Sequence, residues 1–178
     1  MKQTAFIAVT MLLTPGVLAA GALPPIITRY TPAQLGGITS LVRYLVAKPS
    51  RAETRFVFLT VPDPRSLPEE VQIEDPTLEI VELKDVEAAD CTLAHVEVVT
   101  GPRPVVIWAT RIPAPRIEDN VQSNPTAMNI RLFRPVAGGD AGESQIILRA
   151  SGPPTRTPPL CDLADIRKAM LSVAKEGR

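Results

Sequence analysis

His95 is the single histidine of the 178-residue chain, so any histidine-based catalysis must pass through it. Cys91 and Cys161 are the only two thiols. Cys91 and His95 fall on the same face of one alternating stretch, but four residues of strand span roughly 13 Å. They cannot form a thiolate–imidazole pair as direct neighbours. A serine triad would need a nucleophile brought to His95 by the fold, and no Gly-x-Ser-x-Gly elbow occurs. One histidine and two cysteines are also poor material for a zinc site. His95 is therefore expected to be a structural residue on or partly under a sheet surface. No catalytic residue, metal ligand or cofactor is assigned.

The cysteines have a second use. Lys2, the apolar run Ala5–Leu13, the break Thr14-Pro15-Gly16 and the small residues up to Ala22 follow the order of a secretory signal, with cleavage after Ala19 or Ala22. The apolar run is shorter than the roughly 20 residues a membrane-spanning helix needs. Two cysteines in an exported chain point to a disulfide between Cys91 and Cys161. Closing a loop of roughly 70 residues stabilises a fold by about 4 kcal/mol in the chain-entropy picture. The competing reading is that Cys161, just ahead of a helix, is a reactive thiol with a lowered pKa.

Charge is unevenly spread. Glu69, Glu70, Glu74, Asp75, Glu79, Glu82, Asp85, Glu87 and Asp90 stand against Lys84 alone, whereas Arg103, Arg111, Arg116, Arg131, Arg134, Arg149 and Arg156 follow. The acidic stretch is either a surface for a partner, with Glu69, Glu70, Glu74, Glu79, Glu82, Asp85 and Glu87 as its residues, or a solvated face that pairs with the later arginines. Overall, 19 basic residues balance 19 acidic ones, so nothing global draws the chain to nucleic acid or an anionic membrane.

The elements that must position these residues are mostly strands. Arg55–Val61, Val71–Glu74, Thr77–Leu83, Cys91–Val99, Val105–Thr110, Met128–Arg134 and Gln145–Ala150 carry aromatic and β-branched residues or alternate, with proline or glycine turns between them. Along Cys91–Val99, Ala94, Val96 and Val98 share one face. Thr31-Pro32-Ala33-Gln34 has the form of a capping box, and Leu35, Ile38, Leu41, Val42 and Leu45 follow at helical spacing. The β-branched residues of Ile38–Val46 make a short helix running into a strand a fair rival there. The clearest helix spans 162–176: Asp162 is a good cap, and Leu163, Ile166, Met170 and Val173 make its apolar stripe.

These features predict one β-rich α+β domain over 23–178 after a signal peptide at 1–22. It has about seven antiparallel strands in a sandwich or open barrel, an ambiguous N-terminal helix and a C-terminal amphipathic helix packed on the sheet. The functional expectation is an exported, non-catalytic binding or assembly module of the bacterial envelope, periplasmic or secreted and soluble. It would act on a protein partner through exposed strand edges. Arginine in excess of lysine, with frequent alanine and proline, fits a GC-rich bacterial source. Two alternatives stand beside it. One is a secreted enzyme inhibitor that inserts the proline-rich arm 112–127, with Pro113, Pro115 and Arg116 as contact residues. The other is a small hydrolase using carboxylates.

Overall fold

The computed structural model describes residues 23–48, 51–76, 82–88, 90–112, 125–138 and 146–177. In chain order the strands are β1 (Ile26–Arg29), β2 (Ile38–Lys48), β3 (Arg51–Thr60), β4 (Glu69–Glu70), β5 (Gln72–Glu74), β6 (Lys84–Ala88), β7 (Thr92–Val99), β8 (Val105–Arg111), β9 (Met128–Ala137), β10 (Ile146–Ala150) and β11 (Thr155–Arg156). Helix α1 (Leu163–Glu176) follows. All eleven strands join one open sheet, ordered β1-β2-β3-β6-β7-β8-β9-β10-β5, with β4 on β3 and β11 on β9.

Three expectations change. Among the described residues eleven strands replace about seven: β1, β2, β4, β6 and β11 add to the six expected strands found, while the expected strand Thr77–Leu83 lies mostly outside the described residues. The sheet is not wholly antiparallel, since β5 lies parallel to β10. The N-terminal helix is absent. Thr31 and Gln34 do make the capping-box hydrogen bond, from the Thr31 amide to the Gln34 side chain at 2.8 Å. The turn then ends at Gly36 and Gly37, whose φ values are +55° and +95°. The β-branched and aromatic run from Ile38 pairs with β3 as a strand.

β8 explains the layering. Its run Val-Val-Ile-Trp-Ala is apolar on both faces, the pattern of a strand covered twice. Val106 and Trp108 belong to a core with Phe56, Phe58, Phe133 and Leu148, on one face of the sheet. Val105, Ile107 and Ala109 point the other way and meet Ile166, Met170 and Ala174 of α1. Ile166 and Met170 are fully buried, and each such side chain stabilises the fold by roughly 1.5–3 kcal/mol. Asp162 caps the helix by accepting from the Ala164 amide at 2.7 Å.

The turn before β2 is wedged against the far side of the sheet. A Cβ added at Gly36 would lie 2.5 Å from Pro135 of β9, and one at Gly37 would lie 2.9 Å from Ile146 of β10. Gly36→Ala is expected to lower stability by about 2–4 kcal/mol, from left-handed backbone strain and overpacking together. Urea unfolding followed by circular dichroism reads this, and a change of less than half a kilocalorie would show that the turn yields freely.

Candidate functional site

Cys91 and Cys161, 70 positions apart in sequence, form a disulfide with their Cα atoms 4.8 Å apart. It ties the start of β7 to the residue ahead of the α1 cap. The Thr92 amide donates to the Cys161 carbonyl at 3.1 Å. Arg111, buried at the end of β8, donates from Nε to the Thr92 carbonyl at 3.1 Å and from a terminal nitrogen to the Leu160 carbonyl at 3.5 Å. With both sulfurs bonded, the reactive-thiol reading of Cys161 is set aside.

His95 sits beside this strap, on the α1 side of β7, and joins three elements. Its Nδ1 lies 3.3 Å from Asp85 of β6 and its Nε2 lies 3.3 Å from Glu97 of β7. Glu97 in turn takes a two-pronged contact from Arg167 of α1, at 2.8 and 3.0 Å. Asp85 also accepts the Val96 amide. Burial alone disfavours the imidazolium, but hydrogen bonds and charge from Asp85 and Glu97 outweigh it and raise the His95 pKa. Burial also pushes the Glu97 carboxyl upward, and the contacts from Arg167 and His95 reverse this, leaving its pKa lowered. With a carboxylate at each ring nitrogen, the geometry favours holding charge over exchanging protons with a substrate. Among the described residues no group of three or more histidine, cysteine or acidic side chains converges as a metal site would.

The acidic stretch does not gather into one patch. Glu74 pairs with Arg149 at 2.8 Å and Glu82 with Arg55 at 3.0 Å. Asp75, almost wholly buried, pairs with Arg131 of β9. Asp85 is taken up by His95. Glu69, Glu70 and Glu87 stay exposed, the first two on β4 and the third on β6. Several acids of the first half thus meet arginines of the second half across the sheet. Glu79 lies outside the described residues, as do Pro113, Pro115, Arg116 and most of the 112–127 arm.

An exposed apolar surface lies at the β1 end of the sheet. β1 is bonded to β2 on one side only, and among the described residues its second edge has no strand. Leu23, Ile26 and Ile27 are 57%, 58% and 57% exposed, and Tyr44 of β2 is 42% exposed. Leu23 and Tyr44 also line a cavity of about 780 Å³, with Val46, Phe56, Val71 and Leu83 among the other lining residues. It opens where the neighbours of β3 part: the Phe56 amide donates to Leu83 ahead of β6, while Phe58 accepts from Val71 beside β4. The volume falls in the range of small-ligand and side-chain pockets. The charges on β1 and β2 are of one sign, while the cavity wall carries Arg55 together with the carboxylates of Glu70 and Glu82. Arg29 and Arg43 make no ion pair among the described residues. The Arg43 Nε is buried without a hydrogen-bond partner. Burial raises the pKa of the Tyr30 phenol, which the nearby Arg43 partly offsets. The charge of this edge, though not its being an edge, was legible in the sequence, because no acidic residue precedes Glu53.

Compared with known proteins, the chain matches no family model, no curated protein and no solved structure.

Two outcomes follow from the strap and the histidine. A Cys91→Ser, Cys161→Ser double variant should lose up to about 4 kcal/mol, read by chemical unfolding under non-reducing conditions; equal midpoints for variant and parent would show that the strap contributes nothing. The raised His95 pKa means that its contribution is fully present below roughly pH 6.5 and fades as pH climbs through the higher folded value. The lowered Glu97 pKa means that its contribution is present above roughly pH 4.3 and fades as pH falls through the folded value. Melting temperature should therefore fall between mildly acidic and mildly alkaline pH, and His95→Gln should flatten that slope. An unchanged slope in the variant would place the titration elsewhere.

Proposed function

We propose that the protein is an exported, non-catalytic binding or assembly module of the bacterial cell envelope, working through protein–protein contacts. The observation that carries the reading is β1: an apolar strand that, among the described residues, is bonded on one side only and lies beside a cavity. Such an edge has backbone donors and acceptors ready for another chain, and folds without a partner for it normally blunt or cover it. The Cys91–Cys161 disulfide supports an oxidising compartment. No helix among the described residues is long and apolar enough to cross a membrane. The basic, acid-free stretch before Glu53 supports a partner whose contact surface is acidic and apolar.

The test is photo-crosslinking in living cells, with a benzophenone side chain at Tyr44 and, as a contrast, at Lys168 on the outer side of α1. A discrete adduct from Tyr44 in the envelope fraction, with none from Lys168, is the expected result. Silence at Tyr44, or the same adducts from both positions, would remove the support for a binding module acting at this edge.

A further inference from the structure

We infer that β1 takes an extended, acidic and apolar segment of another protein as the next strand of the sheet, with a carboxylate of that segment seated against Arg29. The inference rests on the binding reading above and names what would be bound. The backbone decides which groups are available. In an antiparallel strand the N–H and C=O of one residue point to the same side, and the side alternates along the chain. The Tyr30 amide donates to the Thr39 carbonyl at 2.8 Å, so Tyr30, Thr28 and Ile26 turn their backbone groups toward β2. Ile27 and Arg29 then present theirs to the open side. An added strand exchanges hydrogen bonds with these two residues.

The side chains set the chemistry of the guest. Ile27 and Arg29 share one face of β1, and directly opposed residues on a neighbouring strand interact with the side chains of their own face. An apolar residue opposite Ile27 and an acidic residue opposite Arg29 satisfy both. The opposite face of the same guest passes Ile26, behind which lies Arg43 with its buried, unpartnered Nε. Leu23 continues the apolar surface from β1 into the cavity, so a guest extending past Ile26 meets the pocket there. A second copy of this chain is the poorer guest. β1 and β2 hold no acidic residue, so two β1 edges laid side by side bring arginines together with no carboxylate between them.

The experiment screens a displayed library of random linear peptides against protein expressed from its full sequence, alongside Ile27→Pro, Ile27→Val and Arg29→Glu. Proline at 27 removes an outward N–H and leaves the β1–β2 ladder in place, which edge strands tolerate. Thr28→Pro, which breaks that ladder, is the folding contrast. Enriched peptides should alternate apolar residues and carry an acidic position. Ile27→Pro should bind them about tenfold more weakly, the scale of one lost hydrogen bond, while Ile27→Val binds as before. Arg29→Glu should move the preference from acidic to basic peptides. Peptides N-methylated at alternate backbone positions should fail to bind the unaltered protein, a readout that does not depend on any variant folding. Equal binding to Ile27→Pro and unaltered protein, or no change of charge preference in Arg29→Glu, would overturn the inference. So would a dimer in ultracentrifugation that Ile27→Pro dissolves, because the edge would then belong to a second copy. No enrichment with the Tyr44 crosslink intact would sink strand addition and leave the binding reading standing; silence in both would sink the two together.

Discussion

The run Val105-Val-Ile-Trp-Ala109 puts apolar side chains on both faces of one strand, and a sheet with such a strand is stable only if each face is covered. One cover is the curve of the sheet itself, which brings Phe56, Phe58, Phe133 and Leu148 against Val106 and Trp108. The other is α1, whose Ile166, Met170 and Ala174 lie over Val105, Ile107 and Ala109. The disulfide acts on the second cover. It fixes the chain immediately before Asp162, so that the helix begins at the place from which its stripe can reach β8. Arg167 then pins the flank of the helix to Glu97, and Glu97 to His95. The only histidine and both cysteines thus serve the same task.

The charges divide the molecule in a way the net balance conceals. From Glu74 onward, acids and arginines meet across β5, β9 and β10: Glu74 pairs with Arg149 of β10, and the buried Asp75 just after β5 pairs with Arg131 of β9. Breaking such a pair leaves an uncompensated charge indoors, which is how a buried ion pair enforces one arrangement over others. Before Glu53 there is no carboxylate at all. Among the described residues Arg29 of β1 and Arg43 of β2 make no ion pair, and they sit at the end of the sheet where β1 has no further strand beside it.

Much of this was legible in the residues, and the reasons for the rest are physical. Strands such as Val105–Arg111 and Met128–Ala137 announce themselves by β-branched and alternating residues, and α1 by its cap and stripe. Thr31 and Gln34 also behaved as their types predict, making the capping bond; Gly36 and Gly37 stopped the turn, and pairing with β3 decided the conformation of Ile38 onward. β4 and β11 are two residues long, too short for any periodicity to mark them, whereas β5 falls within the expected strand Val71–Glu74. The edge at β1 was the hardest feature to foresee. Pro24 and Pro25 make its approach look like a leader, and being an edge is a property of the assembled strand order rather than of Ile26–Arg29.

The most direct measurement is residue-resolved amide hydrogen exchange on the free protein along β1. The open edge predicts alternation: slow exchange at Thr28 and Tyr30, whose amides face β2, and fast exchange at Ile27 and Arg29, whose amides face outward. Equal protection at all four amides would mean that the edge is already occupied within the chain, and the idea of an unused strand edge would be wrong.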